Sequence, residues 1–272
     1  MHDQSILKPI NEIDAFYLVH AKATYFPSFV SVYIPNIPYK KIHSGLEPTE
    51  LPPKKSMKTS ITPRESNTER SLRLTRKKIK EYALCNQFEL FATFTFATNR
   101  QDIVNCKNRI YNWFKNQQRR TGKFEYITVP EFHKDGESLH FHTLLKNYQG
   151  KVVPSISPKT GQHLKVAGKL KYHLGSYTLG FSDVRYIDNN LESHTKIGFY
   201  IQKYITKHMP ILYGKNRYYA SRGLEKPKTE DNPEKWYLCA EPDRQYEVEN
   251  GKILEFNAGK NPLVDMFHEA RK

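Results

Sequence analysis

Residues 90–97, LFATFTFA, set bulky Leu90, Phe91, Phe94 and Phe96 among Ala92, Thr93, Thr95 and Ala97, with polar chain on both sides. Such a run of strand formers is too short for a buried helix and predicts a central β-strand. Asp102 then stands where a helix N-cap belongs, and Ile103, Cys106, Ile110, Trp113 and Phe114 recur at helical spacing as far as Arg120. Residues 124–133 (FEYITVPEFH) and 139–146 (LHFHTLLK) are again strand-like. The polar KDGES between them, with Gly136, predicts an antiparallel hairpin. Residues 180–187 predict a further strand and residues 192–208 a helix, with Pro210 as the stop signal just beyond it.

The flanks carry weaker patterns. Residues 69–87 place Leu72, Leu74, Ile79, Tyr82 and Ala83 among five basic residues, which predicts a basic helix leading into the first strand. Residues 15–34 are rich in aromatic and β-branched types and predict one or two strands. From Pro35 to Thr68 the composition turns to Pro, Ser, Thr and Lys, the signature of a linker or mobile arm that buries too little to offset its chain entropy. Residues 147–175 are a polar insertion without a clear period, and no internal repeat is evident. The order strand, helix, strand, strand, strand, helix predicts an α+β fold, a ferredoxin-like or RRM-like antiparallel sheet with helices on one face and the other face open. The domain division that follows is an N-terminal extension at 1–68, a central domain at 69–228 and a C-terminal extension at 229–272.

Charge changes the picture from a fold to a partner. Lys and Arg number 43 against 28 acidic residues, a formal charge of +15, which favours a polyanion through phosphate neutralisation and counterion release. On the helix after Asp102 and just ahead of it, Arg100, Lys107, Arg109, Lys115, Arg119 and Arg120 would supply a phosphate track. No apolar run approaches the roughly 20 residues of a membrane span, and the N-terminus lacks the layout of a signal peptide, so the expected compartment is the cytoplasm. Cys85, Cys106 and Cys239 are scattered, which excludes a CxxC zinc site and fits a reducing environment.

Candidate chemistry gathers at two places. His140 and His142 are one residue apart on an expected strand, so the period of two puts both imidazoles on one face. Across the hairpin, Glu131 and His133 share a face within cross-strand reach of that pair. A His, His, Glu set suits Mn, Mg or Zn, with Glu131 ranked first as the third ligand and His133 or Glu137 as substitutes. The same set could host a non-haem iron centre, although those usually draw their carboxylate from two residues after the first histidine. His173, His194 and His208 are read as surface residues. Later in the chain Tyr200, Lys203, Tyr204 and Lys207 fall at i, i+3, i+4 and i+7, so two tyrosines and two lysines share one stripe of a helix. The bland alternative is a pair of tyrosines at the core margin with lysines extending past them.

Taken together, HFH at 140–142, LFATFTFA at 90–97 and YIQKYITK at 200–207 resemble the motifs of the HUH endonuclease superfamily. Because the tyrosines follow the histidines, the resemblance is to rolling-circle replication initiators (Rep proteins) of plasmids and single-stranded DNA phages; the string RYYASRGLEKP at 217–227 also resembles a segment that follows that domain. The resemblance implies metal-dependent, site-specific nicking and rejoining of single-stranded origin DNA, in a hairpin, through a 5′-phosphotyrosine. It implies Mg or Mn on His140, His142 and Glu131, nucleophilic Tyr200 or Tyr204, and Lys203 and Lys207 favouring the phenolate or screening the phosphate. With no GxxxxGK[ST] motif for ATP-driven unwinding, a host helicase and polymerase become expected partners. An HUH transposase and a non-catalytic nucleic-acid module are the alternatives.

Overall fold

The computed structural model describes residues 21–36, 67–206, 208–209, 217–231, 233 and 235–270. In chain order the elements are β1 (Lys22–Phe26), β2 (Phe29–Pro35), α1 (Asn67–Cys85), β3 (Leu90–Phe94), α2 (Ile103–Thr121), β4 (Glu125–Phe132) and β5 (Leu139–Lys146). There follow β6 (Val152–Pro154), β7 (Lys165–Val166), β8 (Lys169–Leu170), β9 (Tyr172–Leu174), β10 (Ser182–Tyr186), α3 (Leu191–Gln202) and β11 (Tyr219–Ala220). The last are β12 (Lys228–Asp231), a 3₁₀ turn at Lys235–Leu238, β13 (Arg244–Val248), β14 (Gly251–Asn257) and α4 (Pro262–Glu269).

The chain divides into two compact units, one within Glu65–Lys226 and the other drawn from both flanking segments. The flanking unit is an antiparallel sheet in the order β12-β1-β2-β14-β13. Its centre is the pairing of Phe29–Pro35 with Gly251–Asn257, which puts Val30 opposite Phe256 and Val32 opposite Leu254. Val30, Val32, Leu254 and Phe256 are buried with Trp236 and Val264. The two strands expected in residues 15–34 are thus β1 and β2. The segments read as separate N- and C-terminal extensions contribute strands to one sheet, a pairing between positions too distant for any local period to reveal.

The other unit carries a seven-stranded antiparallel sheet ordered β11-β4-β5-β3-β10-β9-β6. Its central four strands, β4-β5-β3-β10, keep the ferredoxin-like order, and the fold is α+β as expected. The insertion at 147–175 adds β9 and β6 to one edge instead of supplying a crossover helix. Alternation along β3 sorts the side chains. Leu90, Ala92 and Phe94 join Cys106, Ile110, Trp113 and Phe114 of α2, whereas Phe91 joins Leu72, Ile79 and Ala83 of α1 and Ile201 of α3. Helices therefore cover parts of both faces, where the sequence suggests one covered face and one open. The basic helix at 69–87 has enough buried residues to need a face of its own, and α3 packs beside it. Ala83 lies against Gly198, where an added Cβ would meet the Ala83 methyl at 3.4 Å.

Local signals set the helix and hairpin ends. The Asp102 carboxylate accepts the Asn105 N–H at 2.9 Å, the expected N-cap of α2. In the KDGES turn, Asp135 accepts the N–H groups of Glu137 and Ser138 at 3.0 and 2.8 Å, and Gly136 takes φ 75°. Helix α3 ends at Gln202, short of the expected His208. Lys203, Tyr204 and Ile205 donate to the carbonyls of Tyr200, Ile201 and Gln202, a 3₁₀-type tightening. The Ile205 carbonyl accepts two bonds from the Arg76 guanidinium of α1, at 2.9 and 2.6 Å, which holds the chain away from a continuing helix.

Candidate active site

Cross-strand register brings the expected metal ligands together. Glu131 of β4 lies directly opposite His140 of β5, and His142 lies opposite Val129 on one side and Thr93 of β3 on the other. Side chains of Glu131, His140 and His142 consequently share one face, with ligand atoms all within 4.8 Å of one another. Glu131 Oε2 is 2.7 Å from His142 Nε2. Adjacent ligands of an octahedral ion with bonds of 2.0–2.1 Å stand about 3 Å apart, so this one-carboxylate, two-imidazole set fits a small divalent cation. His133, the first substitute considered, packs its ring against His140 at 4.6 Å between centroids. Glu137 instead accepts a hydrogen bond from the Gln101 amide at 2.6 Å in the exposed hairpin.

His142 is held on every side. Its Nδ1 is 3.1 Å from the Thr93 hydroxyl, and the Tyr204 ring stacks on it at 3.6 Å and 9°. The Phe91 ring runs nearly parallel to it at 5.9 Å and 12°. Burial lowers the His142 pKa and outweighs the opposing pull of Glu131, so the imidazole is neutral at pH 7 despite its carboxylate neighbour. Burial, with His133 and His142 adding to it, lowers the His140 pKa as well. Both rings thus have the protonation state that a metal ligand needs.

The tyrosine pair meets this site from α3. Tyr204 is 6% exposed, and Tyr200, half-buried, stands edge-on to both Phe91 and Tyr204 at 5.3 and 5.5 Å. The Lys203 ammonium lies 3.6 Å from the Tyr200 ring centroid and 4.9 Å from that of Tyr204. The two phenols differ in consequence. For Tyr200, partial burial works against ionisation, but hydrogen bonds from Tyr204 and Lys203 and the charges of Lys203 and Arg185 prevail and lower the pKa. For Tyr204, burial and the Tyr200 phenol both raise it. Tyr200 is the more accessible and the more easily ionised of the two.

Other expected site residues fall elsewhere. Lys207 lies outside the described residues. Lys115, Arg119 and Arg120 are exposed on α2, which packs on the sheet face opposite to the triad. Arg109 of the same helix is spent on the carbonyls of Thr98 and Leu179, and Lys107 leans over the Tyr219 ring at 5.5 Å. Arg100 is nearer, since its carbonyl accepts the N–H of Leu139, the residue before His140. Of the histidines read as surface residues, His208 is exposed, whereas His173 is half-buried with Nδ1 3.2 Å from the Ser155 hydroxyl. His194 departs furthest: it is half-buried, and its two ring nitrogens are buried without a partner among the described residues. Sequence reasoning missed Thr93 and Arg185. Strand alternation could have found both, because Thr93 is two residues from Phe91 on β3, and Asp183 and Arg185 alternate along β10.

A cluster of two imidazoles and a carboxylate on a sheet face, closed by a lysine-flanked tyrosine pair, is a site suited to metal-assisted transfer onto a phenol. Residues 89–209 match the model of a family described as replication-associated protein ORF2. That span runs from the start of β3 through both tyrosines and supports a role in replication initiation, with origin DNA as the partner. No curated protein and no solved structure matches the chain. Among the described residues no helix is long and apolar enough to cross a membrane.

Proposed function

We propose that the chain is an HUH-type rolling-circle initiator that nicks and rejoins single-stranded origin DNA through a 5′-phosphotyrosine. The observation that carries this reading is the stacking of Tyr204 on His142 at 3.6 Å, which makes the expected ligands and the expected nucleophiles one site although β5 and α3 are far apart in sequence. Bound by His140, His142 and Glu131, Mg or Mn would act as a Lewis acid toward a non-bridging oxygen of the scissile phosphate. Tyr200 is the attacking residue, because it is open to solvent and Lys203 stabilises its phenolate. Its oxygen bonds to phosphorus, its proton passes to solvent, and the bond to the 3′ oxygen breaks, leaving a 3′-hydroxyl and the 5′ phosphate on tyrosine. Tyr204, buried and donating to Tyr200, orients it. The reverse attack by a 3′-hydroxyl reseals the strand. The hydroxyl freed by cleavage would prime a host polymerase behind a host helicase in the cytoplasm.

Labelled single-stranded origin DNA incubated with the protein and Mn tests this directly. The expected product is a protein–DNA adduct that survives denaturation, is absent with EDTA, and maps to Tyr200. No adduct with any strand of the replicon, with Mn present, would sink the enzymatic reading and leave a binding module.

A further inference from the structure

Beside the triad, the same sheet face continues onto β10 without a helix above it. Thr93 lies opposite both His142 and Asp183, so the row runs from β5 across β3 to β10. One step along, the Thr95 N–H donates to the Phe181 carbonyl at 2.9 Å and the Phe181 N–H to the Thr95 hydroxyl at 3.2 Å. The period of two puts Phe181 on the face of Asp183, in the row of Thr95, His140 and Glu131. Gly180 presses on β3 so closely that a Cβ there would be 2.3 Å from the Thr95 carbonyl, which fixes the backbone that presents Phe181.

The ring itself is left bare. Phe181 is 47% exposed on this rigid support. The other exposed phenylalanine among the described residues, Phe199, lies under the Lys80 ammonium at 4.6 Å. The Lys171 ammonium is 5.8 Å from the Phe181 ring, and Asp183 is shared between Lys171 at 3.4 Å and Arg185 at 3.9 Å. One carboxylate between two cations leaves the patch positive. Phe181 is two strand spacings from His140, about 10 Å, which is the reach of one nucleotide from phosphate to base.

We infer that Phe181, with Lys171 and Arg185, forms a stacking subsite for an unpaired DNA base next to the scissile phosphate. This rests on the reading of the chain as a single-strand nickase, but it concerns binding and is measurable without cleavage. The flat ring offers sequence-tolerant stacking, and the two cations take the flanking phosphate.

The test uses the full chain in EDTA with a short thymidine homo-oligomer and a random-sequence single-stranded oligomer. Trp113 and Trp236 are buried, so a Phe181→Trp variant reports from the surface of the patch. Its fluorescence is expected to quench on binding, while Tyr111→Trp, exposed on α2 over the opposite face, is not expected to respond. Phe181→Leu keeps apolar bulk and should bind about tenfold more weakly by anisotropy. Binding with an unquenched tryptophan at 181, equal affinity of Phe181→Leu and the unsubstituted chain, or no oligomer binding at all overturns the subsite. If the Mn-dependent adduct forms and the patch is silent, the subsite alone fails. If the patch responds and no adduct forms, the nickase reading alone fails.

Discussion

The two faces of the seven-stranded sheet are built from alternate residues of the same strands, yet they do different work. Toward α2, Phe94 meets Trp113, Phe114 and Tyr177 with ring centroids 5.2, 5.9 and 4.8 Å apart, and Phe114 stacks on Tyr126 at 4.0 Å. Toward α1 and α3, Phe91, Ile127 and Leu144 pack in the same way, but the next rows hold Thr93, His142, His140 and Glu131. The apolar face needs only volume, whereas the other must hold polar groups at defined separations while half-desolvated. The difference teaches that the aromatic layer is the foundation against which His140 and His142 keep their register. A slip of one residue in β5 would exchange the two sets.

The sharpest way to break the comparison is to change chemistry on one face and volume on the other. Tyr200→Phe removes one oxygen from a half-exposed ring and should take the adduct to background while leaving the thermal midpoint almost unmoved. On the far side, Phe94→Ala empties a fully buried position, for a loss of about 3–5 kcal/mol in denaturant unfolding. Molecules still folded should form adduct at the normal rate. If Phe94→Ala instead lowered the rate per folded molecule as much as Tyr200→Phe does, the two faces would not be separable.

A subtler change lies on the boundary between the faces. The Thr93 hydroxyl at 3.1 Å from His142 Nδ1 can accept its proton and so direct Nε2 toward a cation. Thr93→Val should weaken Mn affinity by about 10–100-fold, read by calorimetry without DNA, and Thr93→Ser should restore it. Equal affinity in the valine and threonine proteins would assign the contact to packing alone.

What the sequence shows of all this follows the range of the forces involved. The pairing of Glu131 with His140 was legible because a hairpin is local and its strands have a period of two. The Tyr200 and Tyr204 stripe was legible for the same reason on α3. The early end of α3 was not, since it depends on Arg76, far back on α1, reaching the Ile205 carbonyl. Nor was the placement of Lys115, Arg119 and Arg120 away from the triad, because periodicity says that a helix has a buried face without saying which side of the sheet receives it. Phe181 was invisible as a surface ring: its exposure follows from where β9 and β10 close the sheet edge, a non-local pairing.

The smallest expected effect sharpens the comparison through acid. Burial holds the pKa of His194 below its ordinary value, and neither ring nitrogen has a partner among the described residues to compensate a charge. The unfolded chain therefore takes up the proton first. Stability from this group is complete above about pH 6.5, the unperturbed value, and is lost as pH falls below it. His140 and His142 are shifted in the same direction, so all three histidines on the α1 and α3 side add to one acid slope. His194→Leu should shallow the fall of the thermal midpoint below about pH 6.5 and leave the midpoint at about pH 8 nearly unchanged. Mn should shallow it further in the same variant, because imidazoles that hold a cation resist protonation. An acid slope identical in His194→Leu and the unsubstituted chain would mean that water reaches this ring, and that α3 is less tightly docked at its N-terminal end than at Ile201.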